Sequence, residues 1–122
     1  MLIYRVEHRT DGYGPYADKV ALFNHADAEH PTFGEDFEDI LESADAYRYF
    51  FGFKSKRQLR AWFSKQERVI LRENDYVVRV YSVNPKYVHK SEKQLIFMMG
   101  YAKALWQIKI TERGSLSLIC GL

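Results

Sequence analysis

The chain has 122 residues, of which 47% are hydrophobic and 28% charged, and its formal net charge is +2. These values fit one domain covering 1–122 and exclude a disordered, collagen-like or coiled-coil chain. The apolar runs are too short to span a bilayer, and Met1–Arg5 lacks the apolar stretch of a signal peptide. The lone cysteine, Cys120, excludes an intrachain disulfide framework and a Cys-rich zinc module, so an intracellular, reducing compartment is expected.

Leu2 to His8 alternates apolar and polar residues and predicts a strand, ended by the turn cluster Thr10–Pro15. Val20 to Phe23 is a short apolar stretch, and Asn24 to Gly34 reads as a long loop. Glu35 to Tyr47 predicts a short helix, with Phe37, Ile40, Leu41 and Ala44 at helical spacing and its acids near the N-terminal end of the dipole. Tyr49 to Phe53 predicts a buried strand.

Ser55-Lys56-Arg57-Gln58 and Ser64-Lys65-Gln66-Glu67 both have the form of a capping box, which predicts helices over about 56–63 and 65–72. On the first of these, Leu59, Trp62 and Phe63 share one arc, and Lys56, Arg57 and Arg60 the next. Tyr76 to Val83 is a strand rich in β-branched and aromatic residues, broken by Asn84-Pro85. Residues 87–93 read as a polar connection. Strands are predicted at Gln94–Met99 and Lys103–Thr111, and an edge strand or docked tail at Leu116–Cys120. Consecutive strands with short connections pair antiparallel. The expected class is α+β, a mainly antiparallel sheet of about five strands with two or three short helices inserted between its N-terminal and C-terminal parts.

Charge is segregated along the chain. Val20 to Tyr47 contains no Lys or Arg, yet holds Asp27, Glu29, Glu35, Asp36, Glu38, Asp39, Glu42 and Asp45. The stretch 54–72 reverses sign, with Lys54, Lys56, Arg57, Arg60, Lys65, Arg68 and Arg72 against Glu67 alone. Eight acids without an internal cation call for an external or long-range counter-charge. Nine Tyr, eight Phe and two Trp supply mostly core, but nine Tyr are more than a small core easily satisfies at every hydroxyl, and Tyr and Trp are what interfaces favour as anchors.

His25 and His30 flank Asp27 and Glu29, but their spacing matches no standard zinc helix motif, and no metal is expected. Nothing near Cys120 supplies a base, so it reads as a small buried hydrophobe. No Gly-rich phosphate loop or nucleophile elbow is present.

Arg5 in the first strand, Phe53-Lys54-Ser55 joining a strand to a helix, and Glu92-Lys93-Gln94 opening a later strand resemble the layout of ADP-ribosyltransferase-like folds. That resemblance implies NAD as cofactor, a basic first-strand residue that holds the dinucleotide, a Ser-containing strand along the nicotinamide pocket, and a late acid facing the oxocarbenium-like transition state. Arg5, Ser55, Tyr81 and Glu92 or Gln94 would then line one cleft. Gln94 falls at the acid's position if Glu92 is the first residue of the late motif, and Gln carries no negative charge.

A second resemblance covers most of the chain. Tyr4-Arg5-Val6-Glu7-His8, Gly14-Pro15-Tyr16, Phe51 to Phe63, Val80-Tyr81-Ser82-Val83 and Gln94-Leu95-Ile96-Phe97 are similar to a small family of phage and prophage accessory proteins. It implies a mobile-element origin and the cytoplasm of a host cell. The leading expectation is a non-enzymatic binder or inhibitor of a host protein or complex, of the defence or nucleic-acid-handling kind. No cofactor and no membrane enter that expectation, and the oligomeric state is left open. Its surface would be Glu35, Asp36, Glu38, Asp39 and Glu42, with Lys56, Arg57 and Arg60 as a basic counterpart. The alternative is the NAD-binding transferase or a degenerate derivative.

Overall fold

A computed structural model describes residues 1–16, 22–23, 25 and 27–119. Val20, Ala21, Asn24 and Cys120, which figure in the expectations above, lie outside the described residues. The elements in chain order are β1 (Leu2–His8), α1 (Phe33–Asp36), α2 (Glu38–Leu41), β2 (Tyr49–Gly52), α3 (Lys56–Trp62), α4 (Lys65–Glu73), β3 (Tyr76–Ser82), β4 (Val88–Lys90), β5 (Leu95–Met98), β6 (Lys103–Ile110) and β7 (Leu116–Ile119). The class is α+β with antiparallel sheets. No helix among the described residues is long and apolar enough to cross a membrane.

The expected single sheet is instead two. One has the order β1-β3-β6-β7 and the other β2-β5-β4. Between them, β1 and the residue after β2 share one isolated bridge, Tyr4 with Phe53, closed by reciprocal 2.8 Å hydrogen bonds. The residues read as a polar connection contain β4, which pairs with β5 through a turn closed by Ser91 N–H donating to Gln94 O at 2.8 Å.

Side chains along β1 and β3 alternate between two cores. Val6, Val78 and Val80 face Leu59, Trp62, Phe63 and Leu71 of the α3–α4 pair. Ile3, Tyr81 and Val83 pack with Leu95 and Phe97 of the smaller sheet. Each large side chain so buried contributes about 1.5–3 kcal/mol, which lets the sheet hold its place between the two layers.

The predicted helix 35–47 is two short helices. Thr32 and Glu35 form a complete capping box, so α1 starts at Phe33, before the predicted start. Phe37 leaves helical geometry at φ −137° and ψ 48° and is buried, and α2 begins after it. Helices α3 and α4 start where their caps placed them, on Ser55 and Ser64.

Arg68, counted above with the basic stretch, is buried. Its guanidinium donates to Gly114 O at 2.7 Å, Phe63 O at 2.6 Å and Arg60 O at 3.4 Å, stapling α4 to the β6–β7 turn. Gly114 has φ +81°, and a Cβ there would lie 2.6 Å from Lys65 O. Gly114→Ala is therefore expected to cost about 1–3 kcal/mol, seen as a lower urea midpoint at unchanged slope.

Candidate functional site

Strand β1 has one side committed to β3 and, among the described residues, the other side only partly paired. Met1 and Val83 exchange backbone hydrogen bonds, so odd-numbered residues of β1 turn their N–H and C=O groups toward β3. Even-numbered residues turn theirs outward. Tyr4 uses them on Phe53, and His8 on Tyr13 and Gly12. Between these, Val6 directs an N–H and a C=O outward, and no group among the described residues pairs with them. A cavity of about 520 Å³ adjoins this edge, lined by Arg5, Val6 and Gln94 and walled by rings that include Tyr16, Phe50 and Trp62. That volume suits a small-molecule ligand.

Arg5 lies 5% exposed beneath it. One guanidinium nitrogen donates to Phe51 O at 2.9 Å and another to Gly12 O at 3.4 Å, and the group sits 4.9 Å over the Phe50 ring. Its Nε lies 3.5 Å from Glu7, close enough for attraction, but has no hydrogen-bond partner among the described residues. Burial lowers the Arg5 pKa, opposed by the charge of Glu7 and the phenol of Tyr81. Glu7, 3% exposed, accepts a 2.5 Å hydrogen bond from Tyr81 Oη and lies 3.7 Å from Arg79. A buried charge is tolerated only when so partnered. Burial and the bond to Glu7 push the Tyr81 phenol up, so it stays a donor.

Gln94 lies at the end of the β4–β5 turn, 2% exposed. Its Nε2 donates to Pro31 O at 2.7 Å and to Asp36 Oδ2 at 2.9 Å. Arg5 and Gln94 thus meet at one cavity, whereas the other residues of that set serve elsewhere. Ser55 caps α3 by accepting from Gln58 N–H, Tyr81 belongs to the Glu7 cluster, and Glu92 is exposed, its backbone carbonyl accepting from Gln58 Nε2 at 3.0 Å.

The loop beside the cavity is clasped by imidazoles. Trp62 Nε1 donates to Tyr16 Oη at 2.8 Å, Tyr16 Oη meets His25 Nδ1 at 2.5 Å, and His25 Nε2 meets Glu67. His30 holds Asp27 at 2.8 Å through Nδ1 and Trp62 O at 2.7 Å through Nε2. Burial pushes the Glu67 carboxyl up, but Ser64 N–H and His25 outweigh it and hold the pKa below its ordinary value. His25, His30 and Glu67 place possible ligand atoms within 4.8 Å of one another, so the third donor is Glu67 rather than Asp27 or Glu29. The two imidazoles, however, stack with centroids 3.7 Å apart and planes 10° from parallel. Their in-plane lone pairs then run side by side instead of converging on one ion, and each nitrogen already has a partner. The cluster as arranged fastens the loop to α3 and α4.

Among the described residues, no ion pair joins the acids of 27–45 to the cations of 54–72. Glu29 pairs with Lys93 at 3.0 Å and Asp45 with Arg48 at 3.5 Å. Glu35, Glu38, Asp39 and Glu42 are exposed, as are Arg57 and Arg60, with Lys56 partly covered. Asp36 departs from its group, being half-buried against Gln94 and Ser91. No local pattern marks the parts played by Val6, Phe50 and Tyr16, whereas the capping box at Thr32-Phe33-Gly34-Glu35 is a legible start signal inside the stretch expected to be loop.

The model of one protein family, the bacteriophage T4 Y00F protein, matches residues 1–111. The chain belongs to this family. No curated protein and no solved structure matches it. The expected phage resemblance is therefore shown over nearly the whole described chain, from the β1 edge through β6, and the cavity is built within the matched residues.

The Glu7 cluster makes one prediction. Tyr81→Phe removes the one hydroxyl donor among the described residues to the buried Glu7 carboxylate and is expected to cost about 1–3 kcal/mol, read by urea or thermal unfolding.

Proposed function

We propose that this phage protein binds a nucleotide of the NAD type in the cavity at the open edge of β1. The observation that carries the proposal is that Arg5 and Gln94, far apart in the chain, line one ring-walled cavity beside a main-chain pair of Val6 that no described residue engages. A planar heterocycle stacks on aromatic walls. A carboxamide offers both a donor and an acceptor, the complement of one N–H and one C=O on a strand edge. The resemblance to ADP-ribosyltransferase-like folds implies a basic first-strand residue that holds the dinucleotide; here Arg5 is turned to main-chain carbonyls, tying Phe51 and Gly12 together under the site, so its part in binding is to frame the cavity.

Bound there, NAD would supply an ADP-ribosyl group. Gln94 stands where that resemblance implies an acid, and a neutral amide stabilises a developing cation poorly. The protein is accordingly a nucleotide binder with weak or lost transfer activity. Saturating NAD is expected to raise stability by about 2.7 kcal/mol at a hundredfold excess over Kd, seen as a higher Tm. Nicotinamide should compete, and nicotinate, which lacks the amide donor, should not. The absence of any shift at millimolar NAD, or equal competition by nicotinate, rejects the proposal.

A second function has its own support. Glu38, Asp39 and Glu42 are exposed, and no described cation of 54–72 pairs with them. Such a surface suits a basic host protein, including one that handles nucleic acid, by imitating phosphates. Replacing these three together with Ala is expected to spare folding and NAD binding and to weaken capture of the host partner from extract, and the loss should shrink at high salt. Unchanged capture removes this role.

A further inference from the structure

We propose that Asp36 is a positioning residue: it holds the Gln94 amide so that only the carbonyl oxygen Oε1 is offered to the cavity, which selects a ligand group that donates a hydrogen bond there. This rests on the cavity being a ligand site, and it adds a chemical requirement that nothing above assigns.

The orientation of Gln94 is forced by its partners. Pro31 O and the Asp36 carboxylate, 2.7 Å and 2.9 Å from Nε2, can only accept. The reversed amide would set Oε1 against a carbonyl and a carboxylate, with no proton between them. Both amide hydrogens are therefore spent. Oε1 accepts nothing from the described residues and is not among their fully enclosed unpartnered atoms, and Gln94 lines the cavity. Asp36 is itself held. Ser91 Oγ donates to the same Oδ2 at 2.7 Å, and Ser91 belongs to the β4–β5 turn that carries Gln94. Asp36 is half-buried where Glu35 and Glu38 are exposed, so its carboxylate faces inward and is no part of the acidic surface.

The consequence is an acceptor with a fixed direction and a negative charge directly behind it. A hydroxyl or N–H of the ligand is favoured at that point, and a carboxylate or carbonyl is rejected. The arrangement also opposes a Glu at position 94, because two carboxylates would then share one contact.

Calorimetric titration with NAD and 15N–1H spectra of the Gln94 side-chain amide test this. In the wild type the amide pair should be protected from exchange. Asp36→Ala should expose it and weaken NAD binding about tenfold, the loss of one aligned hydrogen bond. Asp36→Asn keeps an oxygen acceptor and should restore protection and most of the affinity, and Glu38→Ala should change neither. A folded Asp36→Ala protein that binds NAD like the wild type overturns the proposal. So does an Asp36→Asn protein as impaired as Asp36→Ala, or a wild-type amide that exchanges freely. If the wild type binds no NAD, the nucleotide site fails instead. The amide then decides the lock alone: protection lost in Asp36→Ala supports it, and protection retained overturns it.

Discussion

A guanidinium taken out of water governs this structure. Arg5 lies in the middle of β1, and its charge has to be met by groups brought to it. Glu7, two positions on and on the same face of the strand, supplies the opposite charge. Phe51 O comes from β2, and Gly12 O from the turn after β1. Arg79 and Tyr81 of the neighbouring β3 complete the surroundings of Glu7. The turn after β1 and strand β2 are thus tied to the cation directly, and β3 is tied to it through Glu7. The cost of leaving any of these groups unpartnered makes their arrangement specific.

The same arrangement leaves a gap. Because β2 pairs along its length with β5, the main-chain pairing with β1 among the described residues is confined to the single bridge at Phe53, just past the end of β2. An unpaired strand edge is ordinarily a liability that folds cover or interrupt. Here, rings from several segments and an imidazole-clasped loop lie beside it, and among the described residues a cavity adjoins Val6. The floor is rigid because Arg5 is anchored, and the Gln94 side is rigid because Asp36 and Ser91 hold it. Under the proposed ligand role, a site framed by such constraints is preorganised, and little binding energy would be lost to ordering the protein.

The acids of 27–45 divide between two tasks. Asp36 turns inward to Gln94, and Asp27 secures His30. Glu38, Asp39 and Glu42 stay in solvent. Charge along the chain predicts a region's total, not its direction, since neighbouring residues on short helices point to opposite sides. The basic stretch divides likewise, with Arg68 consumed by three backbone carbonyls while Arg57 and Arg60 remain exposed.

The amino-acid order alone determined β1 and β3, because alternation and β-branched residues act between near neighbours. It determined α3 and α4 as well, because each cap bonds to a backbone group three residues away. It also contained Arg5 and Gln94 as residues worth pairing. Only the tertiary structure decided that they meet, that Tyr81, Ser55 and Glu92 serve elsewhere, and that two sheets form where one was expected. Strand β4 has three residues, too few for a periodic signal, and exists because β5 offers it an edge. Convergence of side chains from distant positions is set by packing and by the cost of burying charge, and neither is written in any local stretch of the chain.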